Sequence, residues 1–222
     1  MNTGSSSSFW RHLVLAAVAL AAIAGGIFSA SQLFKTQPAT RAPEPEGLQA
    51  TYLPGGKPLP AFRLLDHQEQ LFDKQRLQGH WTFVFFGYTY CPDACPMALV
   101  TLNAVIELLQ DQGIDEAPQV VMVSVDPARD TTERLAAYVP YFNPDFIGAT
   151  GADEELVKLT RELGIIYVIR EPDPGGSGYL VDHSTAILLI NPQGKLQAVF
   201  GQPHNPSYMT DDFLKILRHE QT

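Results

Sequence analysis

The chain contains two cysteines, Cys91 and Cys95, and three residues separate them. Thiols at this spacing can form a redox-active disulfide, or they can face one soft metal ion such as Cu(I) or zinc as two thiolates. A purely stabilising disulfide is the plainer alternative, but closing so short a loop removes little entropy from the unfolded chain. The cysteine pair therefore indicates metal binding or thiol exchange.

A metal held by this pair needs a further ligand. A structural zinc site usually has four protein ligands, and the sequence has neither a second cysteine pair nor a His-x3-5-His motif. Among the six histidines, His183 alone lies in a recognisable pattern, Tyr-Leu-Val-Asp-His-Ser-Thr at residues 179–185. A single histidine is more often structural than a ligand, but a thiol pair on a neighbouring strand reverses that preference. We therefore predict a site made of Cys91, Cys95 and His183.

The elements around the cysteines are clear in the sequence. Residues 81–87, Trp-Thr-Phe-Val-Phe-Phe-Gly, predict a buried central strand directly before the cysteine loop. Apolar residues then recur at helical spacing between Pro96 and Gly113, which predicts a helix over this segment. Because Pro96 disfavours helical geometry at the residue before it, Cys95 is predicted at the N-cap, where the helix dipole favours a thiolate.

The rest of the chain alternates between strand and helix patterns. Strands are predicted at 119–125, 165–169, 185–190 and 196–200, and helices at 131–138, 156–163 and 207–218. Asp130 is a candidate N-cap for the helix at 131–138. Residues 171–178, Glu-Pro-Asp-Pro-Gly-Gly-Ser-Gly, predict a loop. This order predicts an α/β fold with a central mixed sheet flanked by helices.

The N-terminal part differs in composition from the rest. After a short tail at residues 1–12, residues 13–30 are apolar or small and predict a transmembrane anchor. A cleavable signal peptide, cut after Ala-Ile-Ala at 22–24, is the alternative, but the apolar run continues past that point. Residues 31–60 are rich in proline and glycine and predict an extended tether. Either interpretation exports the domain, predicted at residues 61–222.

Length and charge limit the classes of function. With 222 residues, 45% of them hydrophobic, the chain has material for one well-packed domain beyond the anchor. The net charge of −9 would repel nucleic acid, so a nucleic-acid partner is not expected.

Four motifs resemble the Sco/SenC family, and the resemblance covers nearly all of residues 60–205. They are Gly-Tyr-Thr-Tyr-Cys-Pro-Asp-Ala-Cys-Pro at 87–96, Val-Ser-Val-Asp-Pro-Ala-Arg-Asp-Thr at 123–131, Phe-Ile-Gly-Ala-Thr-Gly at 146–151 and Val-Asp-His-Ser at 181–184. The resemblance implies a thioredoxin-like fold, one N-terminal membrane anchor, and copper bound by Cys91, Cys95 and His183. It also implies a role in assembling the binuclear copper centre of cytochrome c oxidase.

Four aspartates near the motifs are candidates for supporting roles. Asp93 is a candidate for tuning the site electrostatically, although it is equally an ordinary turn residue. Asp182 is a candidate for orienting His183 through a hydrogen bond, although its side chain could as easily face solvent. For Asp126 and Asp130 the preferred roles are turn formation and helix capping.

Three further residues bear on the site. Tyr90 stands where many members of the resembled family carry a histidine, which changes the polarity of the pocket without removing a ligand. Met97 and Met122 are soft enough to bind copper, but their surroundings predict core positions for both.

Two classes of function follow. The first is a metallochaperone that takes copper from a donor chaperone and delivers it to the copper-bearing subunit of the oxidase, with its domain on the exported face of the inner membrane. The alternative is a thiol-disulfide oxidoreductase that keeps the oxidase cysteines reduced. The chain lacks the Cys-x-x-Cys spacing and the facing proline that ordinary thioredoxin-like reductases use, which favours copper. A peroxidase is weaker still, because no matching motif is present.

Overall fold

The computed structural model describes residues 6–33, 44–114, 116–171 and 178–221. They belong to two compact units, Met1–Arg41 and Ala42–Thr222. In the first unit a single helix is described, α1 (Ser6–Leu33), and it includes the apolar stretch Val14–Ile23. The predicted anchor at 13–30 therefore falls within one helix.

Most of the predicted tail is helical too, from residue 6 onward. Residues 1–5 of that tail, residues 34–43 of the predicted tether and residues 172–177 of the predicted loop lie outside the described residues. Among the described residues, one helix is both long enough and apolar enough to cross a membrane, and this helix is Ala94–Asp111. Because 44% of it is buried inside the protein, it is typical of the core helix of a globular domain.

Ten strands are described in the second unit. They are β1 (Thr51–Pro58), β2 (Arg63–Asp66), β3 (Leu71–Asp73), β4 (Thr82–Gly87), β5 (Gln119–Ser124), β6 (Ile147–Thr150), β7 (Tyr167–Ile169), β8 (Val181–His183), β9 (Ile187–Ile190) and β10 (Lys195–Phe200). The helices are α2 (Ala94–Asp111), α3 (Thr132–Tyr138), α4 (Asp153–Leu163) and α5 (Pro206–Glu220), with 3-10 turns at Lys74–Leu77 and Val139–Tyr141.

Eight of the strands form one mixed sheet in the order β1-β10-β9-β4-β5-β6-β2-β3, while β7 and β8 form a separate two-stranded ribbon. Strands β4, β5 and β6 are parallel, and the other neighbouring pairs of the sheet are antiparallel. All six residues of β4 are buried, as the apolar run predicted. The predicted α/β fold with a mixed sheet is confirmed.

Helices α2 and α5 pack on each other and on the sheet. The ring of Phe213 in α5 meets Trp81 edge-on and also contacts Phe83, with ring centroids 5.8 Å apart in each pair. Leu99 and Leu102 of α2 are fully buried. This packing fixes the start of α2 at the carboxyl end of β4.

The predicted tether is wrong over residues 49–60. Strand β1 pairs with β10, and the buried carboxylate of Asp212 in α5 accepts hydrogen bonds from the backbone N–H groups of Gln49 and Ala50. Prolines and glycines do not prevent this pairing, because β1 is an edge strand whose register shifts between Tyr52 and Lys57. The folded domain therefore begins before residue 61.

Several short elements also differ from prediction. Strands β2, β3, β6 and β8 were not predicted, because segments of three or four residues show little periodicity. Helix α4 ends as predicted at Gly164, whose φ of 73° is the left-handed conformation that closes helices.

Candidate metal centre

The two cysteines lie where β4 gives way to α2. Cys95 is in the first turn of the helix and is fully buried, whereas Cys91 lies in the preceding turn and is half-buried. The predicted N-cap position of Cys95 is wrong, since the helix begins at Ala94 and Asp93 is its N-cap. Pro96 is tolerated inside the first turn because its missing N–H would have no helical acceptor there.

Gly87 allows the close packing of this turn on the sheet. A Cβ atom on Gly87 would lie 3.0 Å from Cys95 Sγ and 2.6 Å from Phe85 Cε1, so a larger residue would displace the sulfur. The Cys95 N–H in turn donates to Cys91 Sγ over 3.3 Å. The helix N-terminus thus points a hydrogen-bond donor at the more exposed sulfur and favours its thiolate form.

His183 reaches the cysteines from the β7–β8 ribbon. Its Nε2 lies 3.3 Å from Cys95 Sγ, and the two sulfurs and one imidazole nitrogen all lie within 4.8 Å of one another. Its Nδ1 lies 3.0 Å from the carbonyl oxygen of Ser184. A proton on Nδ1 donated to that carbonyl leaves Nε2 free to bind a metal or accept a proton.

The adjacency of the two halves of the site was predicted. The strand expected at 185–190 is β9, and it runs antiparallel to β4 as its direct neighbour. His183 itself precedes this strand and belongs to the ribbon. The rings of Phe85 and Tyr88 meet the imidazole edge-on, with centroids 5.9 Å away in each case, and cover it on the protein side.

The two thiols differ in acidity. The hydrogen bond from the Cys95 thiol is the main reason why the pKa of Cys91 is lowered to about 3, against the opposing effect of burial. The pKa of Cys95 is raised, first because its proton is shared with Cys91 and then because it is buried. The metal-free pair therefore holds one negative charge, on Cys91, and the second proton leaves only when something replaces it.

The predicted role of Asp182 is wrong. Its carboxylate pairs with Arg170, and the Ser184 carbonyl faces His183 Nδ1 instead. Neighbouring residues of a strand point to opposite faces, so Asp182 cannot reach the imidazole that follows it. The carboxylate of Asp93 is exposed and makes no capping bond, while its backbone N–H contributes to the low pKa of Cys91.

The capping role predicted for Asp130 is wrong as well, because Thr131 caps α3. Asp130 is fully buried, and its carboxylate accepts hydrogen bonds from the Thr89 N–H, the Thr89 hydroxyl and the Ser124 hydroxyl at 2.6–2.9 Å. Since Thr89 lies two residues before Cys91, this carboxylate holds the cysteine loop to the end of β5.

Asp126 does form the predicted turn, since its carbonyl accepts from the N–H groups of Arg129 and Asp130. Its buried carboxylate also binds the Arg129 side chain and the Tyr179 hydroxyl, neither of which was predicted. Arg129 lies inside one of the four family-like motifs, which is the only sequence signal that could have drawn attention to it. The separation of 50 positions between Arg129 and Tyr179 hides their contact in the sequence.

The two methionines differ in their exposure to solvent. Met122 is fully buried, as predicted, whereas Met97 is 57% exposed on the first turns of α2, so its predicted core position is wrong. Tyr90 is also exposed, and its ring lies below the guanidinium groups of Arg129 and Arg134, at 4.8 and 4.9 Å from the centroid.

Chemically, the site offers two sulfurs and one imidazole nitrogen, with a half-buried thiolate at its edge. Such donors suit soft or borderline metal ions, and three ligands leave room for an incoming ligand. The same sulfurs can alternatively exchange electrons as a dithiol and a disulfide.

The chain is similar to proteins named for the Sco family. It is 36% identical over 158 residues to the mitochondrial SCO1 homolog 1 of Arabidopsis thaliana, a match that covers 71% of this chain and 46% of that protein. It is 33% identical over 159 residues to an SCO2-like protein of Rickettsia conorii, covering 72% of this chain and 75% of that one. The chain thus spans about half the length of the plant relative.

Its fold is similar to the crystal structure of Arabidopsis thaliana ScoI with copper bound. The TM-score is 0.68 at 34% sequence identity, with 72% of this chain and 98% of that chain covered. The sequence model of the SCO1/SenC family matches residues 54–218, which include all three candidate ligands. The chain therefore belongs to the SCO1/SenC family.

Proposed function

We propose that this protein binds copper at Cys91, Cys95 and His183 and delivers it to the binuclear copper centre of cytochrome c oxidase. The observation that carries the proposal is the convergence of these three donors within 4.8 Å at the end of β4. Two thiolates satisfy Cu(I), and the imidazole makes the site acceptable to Cu(II) as well. Copper bound to the similar Arabidopsis ScoI supports this choice of metal.

The partial exposure of the site suits a carrier. Cys91 and His183 are half-buried, so ligands of a donor or an acceptor can approach the metal from that side while Cys95 holds it from below. Copper then passes by exchange of one ligand at a time, without being released into solution. The proposed partners are a copper donor chaperone and the copper-bearing subunit of the oxidase, as the family resemblance implies.

The thiol-disulfide oxidoreductase remains the second candidate, and a specific observation favours it. Both cysteines are free, and the pKa of Cys91 is lowered to about 3, so a nucleophilic thiolate stands at the edge of the site. This function would require no imidazole beside Cys95. The position of His183, 3.3 Å from Cys95 Sγ, is the reason for preferring the copper carrier.

We also propose that residues 13–30 anchor the chain in the inner membrane, with the domain on the exported face. The 28-residue helix α1 and its apolar stretch Val14–Ile23 support this proposal. Membrane-bound protein should resist alkaline extraction and keep its N-terminus. A soluble mature chain beginning at Gly25 would contradict the anchor.

Copper content is the direct test of the carrier. We expect the reduced full-length protein, purified in detergent, to bind copper stoichiometrically, and the Cys91–Cys95 disulfide form to bind none until it is reduced again. Equal binding by the oxidised protein would contradict thiolate ligation.

The same preparation separates the two candidate functions. Copper-loaded protein is mixed with the reduced, copper-free oxidase subunit to follow copper transfer, and the reduced, metal-free protein is mixed with the oxidised subunit to follow the appearance of new thiols on it. Copper transfer without a change in thiols supports the carrier. Reduction of the subunit's disulfide without copper transfer supports the oxidoreductase.

A further inference from the structure

The ribbon that carries His183 is not part of the main sheet. Ladder hydrogen bonds join β7 to β8, and within the described residues no ladder connects either strand to the eight-stranded sheet. The ribbon therefore carries the imidazole of His183. The distance from this ribbon to the cysteines depends on side-chain contacts and on the segments that connect the ribbon to the rest of the domain.

One side chain provides several of those contacts at once. The Arg129 Nη1 donates to the carbonyl oxygen of Tyr179 over 2.9 Å, and the guanidinium stacks on the Tyr179 ring with Cζ 3.6 Å from the centroid. Tyr179 leads directly into β8. Arg129 therefore holds the start of the ribbon strand by both its backbone and its ring.

The other side of the same guanidinium faces the cysteine loop. Its Cζ lies 4.8 Å from the Tyr90 ring centroid and 5.7 Å from that of Tyr88, and Tyr90 immediately precedes Cys91. Tyr88 adds a direct link, because its hydroxyl accepts a hydrogen bond of 3.3 Å from the Val181 N–H of β8. The guanidinium lies between the loop that carries the thiols and the strand that carries the imidazole.

Arg129 is itself held in place. Its Nε donates to the fully buried carboxylate of Asp126, which also accepts a 2.6 Å hydrogen bond from the Tyr179 hydroxyl. Only 20% of the Arg129 side chain is exposed, so its attraction to the aromatic rings is little screened by water. A planar guanidinium can bind a carboxylate, a carbonyl and a ring face simultaneously, which a lysine ammonium cannot do.

We propose that Arg129 is a positioning residue for His183, clamping the β7–β8 ribbon to the cysteine loop through Tyr179, Tyr88 and Tyr90. Within the part of the chain that the structure describes, no hydrogen bond or ion pair joins it to any of the three candidate ligands. It sets the distance between imidazole and thiolates by holding the two elements that carry them. The inference deepens the proposed copper function and rests on it for its biological meaning, but its first test needs no metal.

The first measurement is hydrogen exchange on the reduced, metal-free, full-length protein. The reporters are the amide of Val181, which donates to the Tyr88 hydroxyl, and the amide of Ser184, which donates to the Ile166 carbonyl. In Arg129→Met both should exchange about tenfold faster, the size expected for loss of one charge-assisted hydrogen bond. Amides of β4 and β5 should not change.

Arg134→Met is the matched control. Arg134 also lies over Tyr90 and donates to the Thr89 hydroxyl, yet within the described residues it makes no contact with the ribbon. It should leave the Val181 and Ser184 amides unchanged. Arg129→Lys keeps the charge but not the planar fork, and it should behave like Arg129→Met.

The second measurement is the nitrogen coupling in the electron paramagnetic resonance spectrum of the Cu(II) form. Arg129→Met should weaken the coupling from His183 and lower the Cu(II) affinity about tenfold, as when supporting groups of a metal site are removed. Cu(I) affinity should change less, because both thiolates stay in place.

These measurements distinguish the two proposals. Wild-type protein that binds no copper would end the copper proposal, while the exchange comparison would still decide the clamp. Wild-type exchange in Arg129→Met, or full rescue by Arg129→Lys, would overturn the clamp even if copper binds normally. Should Arg129→Met fail to fold, Tyr179→Phe removes only the bond to Asp126 and should accelerate exchange of the same amides to a smaller extent.

Discussion

The cysteine turn and the β7–β8 ribbon contribute to the same site but are held in place in different ways. The turn begins at β4, which is hydrogen-bonded to strands on both sides, and ends in the first turn of a helix packed on the core. The ribbon has no ladder to that sheet among the described residues, and contacts of Tyr179 and Val181 tie it to the turn. Backbone hydrogen bonds of the sheet and the helix thus position Cys91 and Cys95, whereas side-chain contacts position His183.

This difference suits the proposed role of a carrier, which must bind and release its metal. The rigid turn keeps both sulfurs in position, and Asp130 strengthens it from behind. The ribbon can yield by a small amount at low cost, because small openings of an element held by few contacts require less free energy than opening of the core. The variants below separate the two contributions.

The largest effect is expected from the turn. Cys95→Ser leaves a single thiolate, so copper affinity should fall about a hundredfold or more for both oxidation states, beyond what loss of a supporting group causes. Competition titration with Cu(I) and Cu(II) chelators measures this loss. Met97→Leu is the control, because it removes an exposed sulfur from the same helix, and this variant should bind copper normally. A comparable loss in Met97→Leu would add a thioether to the ligand set.

The next effect concerns the support of the turn. Asp130→Asn replaces a carboxylate that accepts three hydrogen bonds with a group that has one acceptor oxygen, so buried donors lose partners. We expect the free energy of unfolding in urea to fall by about 2 kcal/mol. The exposed Asp211→Asn, which loses only a surface ion pair with Lys215, should change it by less than about 0.5 kcal/mol. Equal effects of the two variants would refute the proposed support.

A smaller effect is expected from the ribbon. His183→Ala removes the imidazole and should lower Cu(II) affinity about tenfold and shift the thiolate-to-copper absorption band, with a smaller change for Cu(I). Thiol-disulfide exchange should change far less. His204→Ala is the control, since His204 is also partly buried beside a backbone carbonyl but lies outside the site. A wild-type copper spectrum in His183→Ala would make the oxidoreductase the better interpretation.

The smallest effect is expected in the rates at which Cys91 and Cys95 react with an alkylating reagent at different pH. Because the pKa of Cys91 is lowered to about 3, its thiolate persists as pH falls from 9 to 5, whereas an ordinary thiol is then almost fully protonated. A thiolate of low pKa is less nucleophilic, so at pH 5 Cys91 should react with iodoacetamide only about tenfold faster than an unfolded-chain cysteine.

Cys95 should stay unlabelled in the folded protein, because its pKa is raised and it is buried. Mass spectrometry after alkylation identifies the modified residue, and the unfolded protein is the control. A reaction rate at Cys91 that falls steeply between pH 9 and pH 7 would contradict the lowered pKa.

The sequence by itself determined the turn. A buried aromatic strand, a Cys-x3-Cys spacing and a helical repeat lie next to each other in the chain, so local patterns were enough to place both sulfurs at one strand-to-helix junction. Even there, the N-cap was misplaced by two residues, because the first turn of a helix accepts a proline that would end the helix elsewhere.

Only the tertiary structure decided what surrounds and supports that turn. Sequence pattern could select His183, but not the ribbon that carries it, because β8 has three residues and no periodicity to detect. Asp182 faces away from His183 because side chains alternate along β8, and this becomes visible only in the folded chain. The same is true of the contact between Arg129 and Tyr179, which are 50 positions apart in the sequence. Likewise, β1 was hidden by its prolines, since an edge strand needs a partner such as β10 before its pairing can be recognised.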